Sequence, residues 1–494
     1  WFWQPTLVVF VANACIMILE LVAGRIIAPQ VGVSLYTWTS VIGVILAGMS
    51  LGNYLGGWLA DRYASLKLLG TVFLASGVAS LAILGIDQLH IVDLVTWPIV
   101  AEILLMIFAL FFLPAAILGT ISPIVVKLAM DDLQRAGRTV GRISAFGTAG
   151  SILGTFATGF WLIAWFGTYT VVWGVAVVLL CLGALFLLSG KLTPTAFAVV
   201  ALVGIAYGTV RLGWTRSRCL RETSYFCITV RETQQEGKTL RRLILDRLVH
   251  SYSSLEDPTE LQYGYERTYA ELVAYQAGRH ADLRTFFIGG GGYTFPRYMA
   301  AVYPGSTVDV AEIDPGVTEV AYEYLGLSRD GTVNTYTGDA RVFLEAPVAE
   351  TYDIIFGDAF NDFSVPYHLT TVGFNERVRV WLAEDGLYVV NIIDGALRRF
   401  LPAYVRTLYE TFDHVYIVPN AEGWRTVSRD TFVIVATDRP IDVADFEEDS
   451  RFRRSALSEA EIAELLAEGR QIILTDRYAP VEQMLAPVYL GRVN

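Results

Sequence analysis

Several side chains in the second half of the chain have types and spacing suited to holding a nucleoside beside an amine. Phe287-Ile288 runs into Gly289, Gly290, Gly291 and Gly292, and glycines let a backbone turn sharply and approach a ligand closely. Glu312 stands 23 residues after Gly289, with Asp314 just beyond it; an acid so placed can accept hydrogen bonds from ribose hydroxyls. In Gly338-Asp339-Ala340 a carboxylate can reach an adenine amino group. Asp358 closes the apolar run Ile354-Ile355-Phe356-Gly357, where it can orient an amine and take its proton. The glycine run is not the phosphate-cradling Gly-x-Gly-x-x-Gly. A ligand without phosphate, such as an S-adenosyl compound, therefore fits better than NAD or ATP.

These residues need a scaffold that brings strand ends together. Apolar runs read as strands over 284–289, 306–313, 332–337, 352–358, 386–393, 413–418 and 431–437. Helical periodicity falls over 263–277, 294–302, 316–325, 373–383 and 396–411. Such alternation predicts a Rossmann-like α/β domain, a parallel sheet with helices on both faces and ligands at its carboxyl edge. Two strand-like runs, 225–230 and 240–249, predict a small β appendage before it.

The first half is chemically different. The chain is 54% apolar and 17% charged, with a mean hydropathy of +0.46. Residues 1–212 hold 9 of the 37 basic and 7 of the 49 acidic side chains, so the acidity lies in the second part. A net charge of −12 and four cysteines exclude a nucleic-acid binder and a disulfide scaffold. Seven stretches are long and apolar enough to span a bilayer: roughly 5–28, 37–60, 67–86, 97–119, 142–165, 168–189 and 193–211. The first reads as a spanning helix rather than a cleaved leader, because Glu20 and Arg25 follow its core. The expected organisation is a transmembrane bundle over 1–212, the β appendage over 213–252 and the Rossmann-like domain over 253–494. Glycines cluster on the second and fifth stretches, as close helix packing requires. Gly56-Gly57-Trp58-Leu59-Ala60-Asp61-Arg62 resembles the cytoplasmic loop motif of major-facilitator transporters.

From Leu245 to about Val390 the chain resembles the polyamine aminopropyltransferases, the spermidine synthase family. Leu245-Asp246-Arg247-Leu248-Val249-His250 stands where the family has Leu-Asp-Gly-x-x-Gln. Tyr269-Ala270-Glu271 resembles its Tyr-His-Glu, and the glycine run through Arg297 its Gly-Gly-Gly-Asp-Gly-Gly-x-x-Arg. Ala311-Glu312-Ile313-Asp314, Gly338-Asp339-Ala340 and Asp358 follow in the family's order. The combination resembles members that carry a transporter-like membrane half and a methyltransferase-like synthase domain. The resemblance implies transfer of an aminopropyl group from decarboxylated S-adenosylmethionine to an amine, releasing 5′-methylthioadenosine. By that analogy Asp358 is the base, helped by Tyr269. His250, Gly289, Gly290, Gly291, Glu312, Asp314, Asp339 and Ala340 hold the donor, and Tyr293, Asn361, Asp362 and Tyr367 line the acceptor pocket. No metal and no tightly bound cofactor is expected; the adenosyl compound, decarboxylated or intact, is a co-substrate. Expected partners are the lipid bilayer and a small-molecule amine, with no nucleic acid and room for a homodimer.

The departures concern the acceptor. The family's loop Asp is Gly292 here and the next Gly is Tyr293; its Gln is His250, and its second Asp is Asn361 with Asp362 adjacent. Donor binding is therefore expected to persist while putrescine is a poor acceptor. A methyltransferase, or a transporter or sensor that only binds a nucleoside or polyamine, are the competing expectations. Sidedness is divided. Arg62, Lys67, Lys127, Arg135, Arg138 and Arg142 mark cytoplasmic loops, so seven crossings put residue 213 onward outside. Cys219 and Cys227 are close enough in sequence for a disulfide there. Arg211, Arg216, Arg218 and Arg221, and a donor made in the cytoplasm, argue for the inside, and the sequence reading leans that way.

Overall fold

The computed structural model describes residues 4–32, 34–88, 99–130, 132–188, 204, 207–235, 237–359 and 365–490. It divides into two compact units, Trp1–Cys227 and Ile228–Asn494.

Among the described residues, six helices of the first unit are long and apolar enough to cross a bilayer. They are α1 (Pro5–Val31), α2 (Leu35–Tyr63), α3 (Leu66–Gln88), α4 (Val100–Leu128), α5 (Ala136–Phe166) and α6 (Thr168–Leu187). The seventh expected stretch, 193–211, falls largely outside the described residues. Helices α1 and α5 pack in parallel and α3 and α6 in antiparallel fashion, each pair meeting at glycines. A Cβ on Gly150 would lie 2.1 Å from the carbonyl oxygen of Phe10, and one on Gly52 2.1 Å from that of Ala116 on α4. Glycine is therefore required for these close approaches, the packing role its clustering predicts. In α4 a π-turn over Phe108–Phe112 leads into Pro114. The wider turn accommodates a proline that would otherwise clash with the preceding turn.

The second unit opens with an antiparallel meander, β1 (Cys227–Gln235), β2 (Lys238–Leu245) and β3 (Leu248–Ser254). The run expected as one strand over 240–249 is thus two. Leu245 pairs with Leu248 across a two-residue turn, where Asp246 takes a positive φ of 51°. Asp is one of the few side chains that tolerates this backbone.

Helix α7 (Gly264–Ala277) leads into the main sheet. Its strands are β4 (Arg284–Ile288), β5 (Thr307–Glu312), β6 (Val333–Thr337), β7 (Tyr352–Gly357), β8 (Leu382–Gly395), β9 (His414–Pro419) and β10 (Arg429–Thr437). Their spatial order is β9-β10-β8-β7-β4-β5-β6. Strands β4 to β8 pair in parallel, and β10 is antiparallel to both neighbours. The sheet is therefore mixed at one edge. Residues 420–428 between β9 and β10 are too few for a parallel crossover, so the two form a hairpin. Crossovers include α8 (Thr294–Val302), α9 (Pro315–Tyr324), α10 (Ala340–Leu344) and α11 (Val372–Trp381). The apolar strand residues Phe286, Ile354, Phe356 and Val389 are buried between the two helical layers. This rigid core fixes the carboxyl ends of β4, β5, β6 and β7, where the candidate residues stand.

Candidate active site

The glycine corner is built by hydrogen bonds between strand ends. The N–H of Gly289 donates to the Ala311 carbonyl (2.9 Å), and that of Asp358 to the Ile288 carbonyl (3.0 Å). Gly289 has φ of 94°, and a Cβ there would meet the Asp358 carbonyl oxygen at 2.8 Å, so only glycine lets β4 and β7 close together here. Gly290, Gly291 and Gly292 line the adjoining cavity.

Glu312, at the tip of β5, is buried. Its Oε2 accepts the N–H of Gly290 (2.8 Å) and its Oε1 that of Asp314 (2.9 Å). Burial raises its pKa while these two donors pull it back. The carboxylate is thereby locked in orientation, with lone pairs left for ribose hydroxyls. Glu312→Gln is expected to weaken 5′-methylthioadenosine binding on the order of 1.5–3 kcal/mol, the worth of a charge-assisted contact. Calorimetry showing unchanged affinity would remove Glu312 from the nucleoside site.

Two expected donor residues have other duties. Asp314 is fully buried as the N-cap of α9, accepting the N–H of Gly316 at 2.8 Å. Asp339 caps α10 through Arg341 (2.8 Å) and pairs its other oxygen with His368 Nε2 at 2.9 Å. Ala340 is the buried first residue of that helix. His368 escaped sequence reasoning because a lone His 29 residues from its Asp carries no motif.

Asp358 emerges from β7 into the cavity. Asn391 on the neighbouring β8 donates to its Oδ1 at 2.9 Å, and the Tyr265 hydroxyl donates to it from α7. Burial pushes its pKa up to about 6, against the lowering effect of those two hydrogen bonds. The expected helper, Tyr269, lines the same cavity one helical turn further along. Its buried hydroxyl has no hydrogen-bond partner among the described residues, and the contact to Asp358 is made by Tyr265 instead. His250 on β3 lines the wall, and burial pushes its pKa down to about 4, so the ring is neutral at pH 7. Glu266, also in the wall, is pushed up to about 8 by burial and accepts the N–H of Tyr263 at 3.1 Å.

The expected acceptor side changes most. Tyr293 does not line the cavity: it caps α8 with a left-handed backbone (φ 55°), is fully buried beneath the glycine loop, and bonds its hydroxyl to Thr318 Oγ1 at 2.8 Å. Its ring fills the place where a Cβ on Gly290 would sit. Tyr367 lies in an exposed turn away from the cavity lining. Asn361 and Asp362 lie outside the described residues. The lining instead includes Ser251, Asn391, Asn420, Arg429 and Thr431, residues with no sequence signature of their own. Three buried polar atoms in this wall, Ser251 Oγ, Tyr269 Oη and Asn391 Oδ1, have no hydrogen-bond partner among the described residues. Buried polar groups are rarely left unpaired, so their gathering around Asp358 marks where a ligand's hydrogen-bonding groups go.

A glycine-turned strand end, a locked carboxylate on the next strand and a buried carboxylate across the cavity stand together on a Rossmann-like, methyltransferase-like α/β domain. Comparison with known proteins narrows this. The chain is similar to the polyamine aminopropyltransferase of Vibrio vulnificus, 32% identical over 147 residues, which are 29% of this chain and 49% of the relative. The chain spans about half the length of that relative. Polyamine aminopropyltransferase 2 of Ralstonia nicotianae is 24% identical over 484 residues, 90% of this chain and 89% of the relative, so this likeness runs through the helical unit too. The solved structure of a probable spermidine synthase from Corynebacterium glutamicum has 23% identity and a TM-score of 0.47, covering 51% of this chain and 95% of that one. No family model matches the chain. The chain resembles the polyamine aminopropyltransferase family.

Proposed function

We propose that this protein is a membrane-integrated aminopropyltransferase that moves an aminopropyl group from decarboxylated S-adenosylmethionine to an amine. The observation that carries this reading is Asp358, buried and oriented by Tyr265 and Asn391, facing a cavity with three polar atoms that have no partner among the described residues. Glu312 holds the ribose and the glycine corner admits the nucleoside. The amine nitrogen attacks the carbon next to the sulfonium; the new C–N bond forms as the C–S bond breaks, and the electron pair leaves with 5′-methylthioadenosine. Asp358 takes the proton the nitrogen gives up, and Asn391 holds that carboxylate in place. The hydroxyls and amide oxygen around the cavity accept the substrate's N–H groups. Membrane integration rests on the six long apolar helices of the first unit.

The test is incubation of the detergent-solubilised full chain with decarboxylated and intact S-adenosylmethionine and a panel of amines, followed by mass measurement of the products. Release of 5′-methylthioadenosine with a product heavier by one aminopropyl group is expected. A methylated product with S-adenosylhomocysteine would replace this reading by methyl transfer. Putrescine is expected to be a poor acceptor, because Gly292 supplies no carboxylate to grip a far ammonium and Arg429 adds positive charge to the wall. A bulkier or more apolar amine is expected to be faster. A putrescine rate matching that of a soluble spermidine synthase, assayed side by side, would contradict this.

A further inference from the structure

We propose that the end of the helical unit carrying Cys219 and Cys227 faces away from the cytoplasm, so that the catalytic unit, continuing directly from Cys227, works on the extracytoplasmic side. The proposal rests on membrane integration as proposed above.

The helical unit has two chemically distinct ends. At one end α2 runs out at Asp61 and Arg62, α4 ends with Lys127 paired to Asp61 at 2.9 Å, and α5 begins beside Arg135, Arg138 and Arg142. At the other end lie the connections between α1 and α2, α3 and α4, and α5 and α6. In sequence these connections contain no Lys or Arg. Basic residues concentrate in cytoplasmic loops, so the first end is the cytoplasmic one.

The segment after the sixth helix docks at the second end. Trp173 near the start of α6 donates to Thr209 at 3.1 Å. A Cβ on Gly85, near the end of α3, would touch the Trp214 ring at 3.2 Å. Arg218 pairs with Asp87 at 3.1 Å, and the same buried carboxylate accepts from Tyr169 (2.7 Å) and Gln30 (2.9 Å). Glu222 accepts the N–H of Thr168 at 2.7 Å. Arg25, near the end of α1, donates to the Tyr225 carbonyl at 2.7 Å and to that of Thr223. Three helix ends thus hold residues 209–226 at the end without basic connections.

A second observation agrees. Cys219 and Cys227 form a disulfide in this docked segment, while the two free cysteines, Cys15 and Cys181, lie within helices. Disulfides persist in oxidising compartments and are rare where thiols are kept reduced. Of the four arginines that argued for a cytoplasmic location, Arg218 is neutralised by Asp87. Among the described residues no spanning helix follows Cys227, so the catalytic unit stays on the side where it begins. Given the proposed activity, its sulfonium donor must be delivered across the bilayer by a carrier, because a fixed positive charge does not cross lipid unaided.

The test uses sealed right-side-out membrane vesicles holding the full chain in a Cys15→Ala, Cys181→Ala background. Glu468→Cys, exposed on the catalytic unit, and Arg138→Cys, exposed at the basic end, are treated with a membrane-impermeant maleimide before and after detergent. Glu468→Cys is expected to label fully before detergent, and Arg138→Cys only after it. Glu468→Cys labelling only after detergent overturns the proposal, as does Arg138→Cys labelling before it. In the parent chain, quenched in acid without reductant, Cys219 and Cys227 are expected to resist alkylation until reduced; free thiols there overturn the proposal without any substitution. Alkaline carbonate separates the two readings. A chain washed off the membrane fails as a membrane protein, whereas a retained chain with reversed labelling fails only in its orientation.

Discussion

Asp358→Asn is expected to bind 5′-methylthioadenosine as the parent chain does and to lose aminopropyl transfer by about 10²–10⁴-fold, the usual worth of a general base. Asn keeps the shape and an acceptor for Tyr265, but it cannot take the amine's proton. Burial lifts Asp358 to about 6, close enough to neutrality for it to be both ionised and basic at pH 7. The parent rate is therefore expected to fall about tenfold per pH unit below about 6 as the carboxylate protonates. The stability sign runs the other way. A carboxyl whose pKa is raised by folding binds its proton more tightly in the native state. Its ionised form costs stability at pH values above the folded pKa, and the cost vanishes below the ordinary value of 3.8. Removing the charge should leave the thermal midpoint at pH 7 unchanged or higher, which separates lost chemistry from lost fold. An Asn variant with the parent's rate would mean that another group takes the proton.

Gly292→Asp, which restores the acid found at this place in the family, is expected to damage the protein. A Cβ at position 292 would lie 1.8 Å from Ser251 Oγ and 2.6 Å from its Cβ. Ser251 is buried on β3, so the loop has to move, at a cost on the order of 1–3 kcal/mol or more. Transfer should be lost with it, because Gly289 and Asp358 share that corner. Ser251→Gly combined with Gly292→Asp removes the obstructing atoms. The pair should recover much of the loss, a coupling on the order of 1–3 kcal/mol between touching residues. The double variant is also expected to use diamines better, since the restored carboxylate can hold a second ammonium. Denaturant melts of the four chains check this; strictly additive losses would show that Ser251 is not what excludes the acid.

The placement of Asp358 and the glycine corner was legible because it depends on local order along the chain. An apolar run of five or six residues makes a buried strand, and the residue after it must emerge at the sheet's edge. The same holds for the six long apolar helices, each visible as about 20 consecutive apolar residues. Duties shared between distant segments were not legible. Residues 265 and 269 lie four apart on α7 and face the same way, and only the docking of that helix decides that Tyr265 reaches Asp358. Asn391 is 33 residues from Asp358 and became its neighbour through the pairing of β7 with β8. Asp314 and Asp339 read as ligands by motif, yet each stands where a helix begins and spends an oxygen on that helix's first turn. Gly292 read as a lost carboxylate and Tyr293 as lining of an acceptor pocket, but one makes room for Ser251 and the other folds beneath the loop. The two ends of the helical unit differ in sequence, but which of them holds the segment around Arg218 was decided only by its meeting with Asp87, 131 residues away. Periodicity is a property of neighbours in sequence, whereas register, docking and caps depend on which surfaces meet. That is why the sequence by itself determined the elements and the candidate carboxylate, and the tertiary structure decided its partners.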